Sequence, residues 1–188
     1  MPRRFLPLLI FVILSLGGCA NRPLDYRAEF FDASQQGPYT LGTGDKLRII
    51  VYGQDNLSNL YAVDGSGRIS MPLIGAITAA GQTTRALESQ IEARLRNGYL
   101  RDPKVNVEVD QFRPFFILGE VNQSGQYPFV GGMTVQTAVA IAGGFTPRGA
   151  QSYAVVTRSI NGEPMTSEVP ITYPVRPGDT IAIKERLF

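Results

Sequence analysis

The side chains that could carry out chemistry in this sequence are a scattered set of carboxylates. They are Asp45, Asp64, Asp102, Asp110, Glu120 and Asp179. Two such groups on either side of one cleft, about 5–9.5 Å apart, would form the carboxylate pair of a glycoside hydrolase. However, Asp45, Asp64 and Asp179 lie in glycine-flanked turns, where an Asp side chain commonly binds the nearby backbone. The pattern therefore favours turn formation, and glycan hydrolysis remains as an alternative.

The histidines and cysteines that many other enzymes use for catalysis are almost entirely missing from this sequence. The chain of 188 residues contains no histidine and one cysteine, Cys19. Ser–His and Cys–His pairs, histidine-ligated metals, cysteine-rich zinc sites and internal disulfides are therefore excluded. The stretch GTGDK at 42–46 superficially resembles a phosphate loop, but its spacing is wrong and it precedes a strand rather than a helix. We predict a protein that is not an enzyme, with no catalytic residue, cofactor or metal.

The charge balance argues against nucleic acid as a partner. The chain carries 18 Lys and Arg against 16 Asp and Glu, and two of the basic residues, Arg3 and Arg4, precede the first apolar stretch. Without that segment the charges are equal in number, and no run of like charges remains. With 44% apolar and 18% charged residues, the composition is that of a globular protein.

The amino terminus has the pattern of a secreted lipoprotein. Residues 1–18 combine two arginines, an apolar stretch at 5–16 and a small-residue exit, which together predict a signal peptide. The ending LGGC at 16–19 resembles a bacterial lipobox and predicts lipidation of Cys19, so that acyl chains hold the protein on a membrane. Ala20 in place of the Asp that retains lipoproteins in the inner membrane favours the outer membrane. The alternative is an ordinary signal or membrane anchor with a chance cysteine.

The remaining chain divides into a polar tether at 19–38, a first domain at 39–110 and a second domain at 111–188. In the first domain, strands are predicted at 47–52, 61–63, 68–71, 74–77 and 105–110. A helix lies between the last two of these strands. Its buried face carries Leu87, Ile91 and Leu95, its N-cap is Thr83 or Thr84, and its end is Gly98. The opposite face should be solvated and carries Arg85, Glu88, Glu92 and Arg96.

The second domain alternates strands and one short helix. The predicted strands are 115–121, which is apolar apart from Glu120, and 126–130, 153–157 and 180–184. Thr134 caps a helix at 135–142 that is apolar nearly all round and is therefore expected to be buried. A turn is predicted at Asn161-Gly162. One helix across a mixed sheet is an α+β arrangement.

Three features keep two interpretations each. The stretch LGTGDKLRI at 41–49 echoes VRPGDTIAI at 175–183, either as a repeat or as a common way to enter a strand. Glu120 is a charge at a sheet edge or a contact between subunits. The phenylalanines next to Arg113 belong to the core or stack on sugars, and they are Phe112, Phe115 and Phe116.

Several motifs together resemble one family. YTLGTGDKLRI at 39–49, VDGSGRISMPLIG at 63–75 and GYLRDPKV at 98–105 are similar to the polysaccharide export domain. FILGEVNQSGQYP at 116–128, with MTV at 133–135 and AGGFT at 142–146, resembles the β-grasp module, called SLBB, that follows it. On these residues the chain is identified as a member of the Wza-like outer-membrane auxiliary family of polysaccharide export lipoproteins.

The resemblance implies a structural part of a transport system. Family members are lipid-anchored at the periplasmic face of the outer membrane of Gram-negative bacteria. They form rings around a conduit that carries capsular polysaccharide or exopolysaccharide. The implied partners are the polymer in transit, further copies of the chain and an inner-membrane polysaccharide copolymerase. A ring of identical subunits requires a head-to-tail interface that closes by rotation.

The sequence differs from the long form of the family, which adds another β-grasp module and a C-terminal amphipathic helix that crosses the outer membrane. The printed sequence stops at Phe188, after the last predicted strand. We therefore expect a separate outer-membrane β-barrel or helix-bearing subunit as a partner. The competing functional hypothesis is a monomeric glycan-binding envelope lipoprotein that guides or senses the polymer.

Overall fold

The computed structural model describes residues 37–160 and 162–186. In chain order, the elements are β1 (Lys46–Val51), β2 (Asn59–Ala62), β3 (Arg68–Met71), β4 (Gly75–Thr78), α1 (Thr84–Arg96), β5 (Val105–Gln111), β6 (Phe115–Gly119), β7 (Gly125–Tyr127), α2 (Val135–Ile141), β8 (Tyr153–Ile160), β9 (Glu163–Pro170) and β10 (Thr180–Ile183). The predicted α+β class is confirmed.

The first half of the described chain packs one helix against small antiparallel sheets. Strands β2, β1 and β5 form one sheet in that order, and β3 and β4 form a hairpin. Strand β1 alternates, so that Leu47, Ile49 and Val51 are buried while their neighbours are not. Helix α1 buries the predicted leucine and isoleucine face against this core, and Thr83 is its N-cap.

The sequence suggested that the outer face of α1 is only solvated. In the structure, two glutamates of this face also bind the neighbouring strand β5. Glu88 accepts a hydrogen bond from the backbone N–H of Val107 at 2.9 Å, and Glu92 accepts one from Val105 at 3.0 Å. Strand β5 is the edge of its sheet, so these N–H groups have no neighbouring strand to bind. The two helix carboxylates therefore satisfy the edge of the sheet and fix the helix beside it.

The second half is a five-stranded sheet with the order β7-β6-β10-β8-β9. Strands β6 and β10 are parallel and the other pairs are antiparallel, so this is the mixed sheet that was expected. Helix α2 begins at a capping box formed by Thr134 and Thr137. The prediction that this helix is buried all round was wrong. Val135, Ala138 and Val139 are buried, but Ile141 is 46% exposed because the helix covers the sheet with one face only.

One face of the five-stranded sheet is open. The sequence predicted an apolar strand over residues 115–121. In the structure this strand ends at Gly119, and its side chains alternate between buried and exposed up to Leu118. Phe115 and Ile117 are buried under α2, whereas Phe116 and Leu118 point to the other face and are 42% and 45% exposed. Phe116 and Leu118 are therefore exposed apolar side chains on the face of the sheet that α2 does not cover.

Strand β9 was not predicted. It pairs with β8 over eight residues, from Tyr153 with Pro170 to Ile160 with Glu163. Its sequence has a proline near each end, Pro164 and Pro170, which a central strand would not tolerate, but β9 is the edge of this sheet, where proline is accepted. Asn161 of the predicted turn between the two strands lies outside the described residues.

The buried apolar residues form two clusters that do not overlap along the chain. One lies between Leu41 and Val107, and the other lies between Phe115 and Ile183. The short link Phe112-Arg113-Pro114 joins the strands that border them. Each half therefore has its own core, and the contacts of the link decide how firmly the halves are joined.

Candidate functional site

Two turns of the same shape meet beside this link. Gly42–Asp45 and Arg176–Asp179 each close with a backbone hydrogen bond of 3.1 Å from the Asp N–H to the first carbonyl. Their third residues, Gly44 and Gly178, have φ of +93° and +87°, which is the conformation that a type II turn requires at that position. The echo between residues 41–49 and 175–183 is thus a repeated structural motif, in which a turn leads into a strand.

Asp45 is fully buried and binds four groups. Its Oδ2 accepts hydrogen bonds from the Tyr39 hydroxyl at 2.6 Å and the Gly42 N–H at 2.8 Å, and it lies 3.4 Å from Arg113 Nη1. Its Oδ1 accepts the backbone N–H of Arg113 at 2.8 Å. Burial, together with the hydrogen bond to this carboxylate, raises the pKa of Tyr39 far above its usual range. Asp45 therefore fixes the start of β1 to the link.

Asp179 has the same role at the start of β10, with a different arginine. Arg158 and Asp179 are both buried and form a bidentate pair, with Nε to Oδ1 at 2.8 Å and Nη2 to Oδ2 at 2.7 Å. Oδ2 also accepts the backbone N–H of Arg176 at 2.7 Å, which closes the turn. The guanidinium of Arg158 lies 5.7 Å from the Tyr173 ring centroid, a cation–π distance.

Arg113 connects the two turns. Besides its contacts with Asp45 and Tyr39, its Nε donates to the carbonyl of Pro177 at 3.1 Å. A Cβ on Gly42 would lie 1.9 Å from Nη1, and a Cβ on Gly178 would lie 2.7 Å from Nε. Both turns therefore need glycine where the guanidinium passes, and this side chain makes polar contacts with both halves.

A cavity of about 290 Å³ opens beside this junction. Three arginines line it, Arg113, Arg158 and Arg176, together with Tyr39, Ser159 and further residues from both halves. Within residues 37–160 and 162–186, no acidic residue lines this cavity. Burial lowers the pKa of Arg176, and the charge of Arg158 adds to that effect. The cavity thus offers hydrogen-bond donors and positive charge to a ligand.

The phenylalanines near Arg113 have three different positions. Phe115 is buried in the second core. Phe112 makes edge-to-face contacts with Tyr39 and Phe129, at centroid distances of 5.0 and 5.5 Å, and lines an apolar groove next to the cavity. Phe116 lies on the open sheet face. The core interpretation therefore applies to Phe115, and the other two contribute to surfaces.

The six carboxylates considered for hydrolysis are each bound within the chain. Asp45 and Asp179 pair with the arginines described above. Asp64 accepts from the Ser66 hydroxyl and from backbone N–H groups, and the Ser66 hydrogen bond is the main reason that its pKa is lowered. The remaining ion pairs are Asp102 with Lys104, Asp110 with Arg48, and Glu120 with Arg148. Each of the six carboxylates therefore has at least one partner within the described residues.

Glu120 is placed by contacts within its own chain, since it also accepts a short hydrogen bond from the Thr146 hydroxyl.

Cys19 lies outside the described residues. Within residues 37–160 and 162–186, no group of three or more His, Cys, Asp or Glu side chains could hold a metal ion. The same part of the chain has no helix that is long and apolar enough to cross a bilayer.

Two family models match the chain in order. The model for the polysaccharide biosynthesis/export protein matches residues 33–110, and the SLBB domain model matches residues 114–169. Together these matches cover more than two thirds of the sequence. They join at the Arg113 link, where the two cores meet. The chain belongs to the polysaccharide export protein family, as its motifs had indicated.

Several similar proteins have names that refer to the production, transport or export of polysaccharides. In an alignment 118 residues long that covers 56% of this chain, it is 36% identical to the exopolysaccharide production protein ExoF of Rhizobium meliloti. In an alignment 186 residues long that covers 79% of this chain, it is 27% identical to the EPS I polysaccharide export outer membrane protein EpsA of Ralstonia nicotianae. The polysialic acid transport protein KpsD of Escherichia coli is 26% identical over 64% of this chain. The chain spans 28%, 48% and 22% of the lengths of these three proteins.

The sequence pointed to only part of this site. The Gly-Asp echo marked the two turns, but nothing local identified the arginines that bind them. Arg113 is 68 residues from Asp45, and Arg158 is 21 residues from Asp179. The one available signal was the charged residue Arg113 in the apolar stretch Phe112-Arg113-Pro114-Phe115, at a predicted domain boundary.

Proposed function

We propose that the mature protein is an outer-membrane lipoprotein of a capsule or exopolysaccharide export conduit, in which it forms the periplasmic ring. The observation that carries this proposal is the ordered match of an export domain and an SLBB domain. The name of EpsA, an export outer membrane protein, supports the location. Lipidation of Cys19 would provide the membrane attachment.

The junction at Arg113 suits a ring subunit. A closed ring requires every subunit to present its two different contact surfaces at one fixed angle. A buried carboxylate, an arginine and two glycine turns restrict the angle between the halves, because any rotation would break several charge-assisted hydrogen bonds. In this proposal the polymer and an inner-membrane copolymerase are the partners, and the protein contributes shape rather than turnover.

Exposed apolar side chains are available for contacts between subunits. Phe116 and Leu118 lie on the open face of the second half, while Tyr52, Leu73 and Tyr99 are more than half exposed on the first. Leu73 also has φ of +69° in the turn between β3 and β4, a strained conformation for a residue other than glycine. Surfaces of this kind on both halves provide the two different patches that a head-to-tail contact needs.

The test is polymer export in the source bacterium with its own gene deleted. The wild-type gene should restore polysaccharide to the medium, and the Cys19→Ala variant should not, although its folded domains are unchanged. Membrane fractionation is measured in parallel. If Cys19→Ala still fractionates with the outer membrane, lipid attachment is wrong. If the deletion leaves polymer export intact, the transport role is wrong.

A second candidate is a monomeric glycan-binding lipoprotein that guides or senses the polymer. The observation that favours it is the arginine-lined cavity, which exists within one chain and needs no second copy. The two candidates differ in the mass of the assembled protein.

A further inference from the structure

We propose that the cavity between the two halves binds the carboxylate of an acidic sugar unit. This inference rests on the proposed export role, because that role brings a polysaccharide to the protein. The cavity would then act as a subsite that contacts acidic polymers as they pass. A neutral polymer would have no comparable interaction there.

The charge of the cavity selects for an anion. In the described part of the chain, its lining residues include Arg113, Arg158 and Arg176 and no acidic residue. Asp45 and Asp179 are fully buried and are not among the described lining residues, and each binds one of these arginines and a backbone N–H group of its own turn. Arginine binds a planar carboxylate through two parallel hydrogen bonds, which makes it the side chain best suited to this ligand.

Hydrogen-bond donors remain for a ligand on the cavity side. The contacts of Arg113 within the described residues use its backbone N–H, Nε and Nη1. Its Nη2 has no acceptor there, and 28% of the side chain is exposed. Ser159, an exposed residue, lines the same cavity, and its hydroxyl has no hydrogen-bond partner in the described part of the chain. A carboxylate and a neighbouring sugar hydroxyl could bind these groups together.

The size and surroundings fit one sugar unit rather than a large ligand. The cavity measures about 290 Å³, at the lower end of the range of about 300–1,000 Å³ for ligand sites. An apolar groove of about 320 Å³ shares Tyr39 and Arg176 with it and continues along Phe112, Phe129 and Met133. Aromatic and apolar walls beside donors would contact the carbon face of a sugar while the arginines bind its acid group.

The electrostatics of Arg176 agree with this assignment. Its pKa is lowered first by burial and then by repulsion from the charge of Arg158, while the charge of Asp179 offsets part of this effect. An anion bound there would relieve that repulsion. Arg176 also donates to the carbonyl of Gly37 at 3.4 Å, which positions its side chain at the cavity wall.

The test is calorimetric titration of the full lipidated protein in mild detergent with an oligogalacturonate. A neutral malto-oligosaccharide of equal length is the comparison ligand. We expect the uronate to bind, with an affinity that falls at high salt, and the neutral oligomer not to bind. Arg176→Gln should weaken binding at least tenfold and Ser159→Ala several-fold, while Arg176→Lys should recover part of the loss because it restores the charge. The matched control is Arg85→Gln, an exposed arginine on α1 that should bind like wild type.

Several results would overturn the proposal. These are equal binding of the neutral oligomer, unchanged uronate binding by Arg176→Gln and Ser159→Ala, or an equal loss in Arg85→Gln. If Arg176→Gln dissociates an assembly without changing uronate binding, the cavity is a subunit contact and the proposal is also wrong. Mass and polymer export, measured on the same variants, separate the two ideas. Uronate binding without assembly or export supports the carboxylate site and refutes the export role. Assembly and export without uronate binding support the export role and refute the carboxylate site.

Discussion

The side chain of Arg113 lies so close to Gly178 that a Cβ at position 178 would be 2.7 Å from Nε. The arginine follows the first half of the chain, and the glycine belongs to a turn of the second half. Hydrogen bonds to Asp45 and to the carbonyl of Pro177 fix the guanidinium in place, so it cannot easily move away. Glycine at this position is therefore a requirement of the junction as well as of its own turn.

Gly178→Ala should destabilise the protein more than a matched glycine does. Gly162 has the same φ of +87° but nothing within 4 Å of an added Cβ. Gly162→Ala should cost about 1–2 kcal/mol from backbone strain alone. Gly178→Ala should cost a further 1–3 kcal/mol, approximately, because the methyl group overpacks against Arg113. Urea unfolding of both variants measures the difference.

The Arg113→Ala background provides the control for this comparison. Once the guanidinium is removed, the additional cost of Gly178→Ala over Gly162→Ala should disappear. An excess cost that persists without Arg113 would show that the contact is not its source.

Asp45→Ala should be among the most destabilising single substitutions. It removes the acceptor of Tyr39, of the Gly42 N–H and of both the backbone and side chain of Arg113. Unsatisfied buried donors and an unpaired arginine at the junction should together cost about 3 kcal/mol. Asp64→Ala is the matched control, because Asp64 caps a turn in the same way on an exposed residue. A stability equal for the two variants would contradict this view of Asp45.

The pair Arg158–Asp179 should show strong coupling in a double-mutant cycle. Both groups are buried and bind through two hydrogen bonds. Either single change, Arg158→Met or Asp179→Ala, leaves a buried charge without its partner and should cost about 3–5 kcal/mol. The double variant should cost clearly less than the sum of the two single variants. Additive costs would mean that the two groups do not act as a pair.

Tyr39 should make the protein less stable at alkaline pH. Its folded-state pKa is raised, by burial first and by the Asp45 hydrogen bond second, so the folded phenol retains its proton. The unfolded phenol ionises near pH 10. The contribution of Tyr39 is therefore fully present below about pH 10 and decreases as the pH rises above it. Unfolding of wild type and Tyr39→Phe from pH 8 to pH 11.5 should show a difference that shrinks only above pH 10, and a constant difference would contradict the assignment.

Local patterns predicted the elements, and long-range contacts decided the rest. Leu87, Ile91 and Leu95 predicted α1 correctly because helical periodicity is a property of the local sequence. Strand β9 was missed because its prolines argue against a strand anywhere but at a sheet edge, and its place in the sheet depends on β8. The exposed side of α2 was missed because the sequence does not say how much of a short apolar helix a sheet can cover.

The junction of the two turns also depends on contacts that the local sequence does not predict. The two Gly-Asp turns were visible as an echo, but their arginines come from distant positions that only the fold brings near. Glu88 and Glu92 likewise looked like ordinary surface charges until the edge of β5 was placed beside them. A charged residue shows its role only when its partner is known.

The mass of the mature lipidated protein in mild detergent tests the central claim most directly. Native mass spectrometry or light scattering measures it over a range of protein concentrations. We predict a closed oligomer of several identical subunits, as a ring around an export conduit requires. A strict monomer at every concentration would contradict the ring and favour the monomeric glycan-binding function.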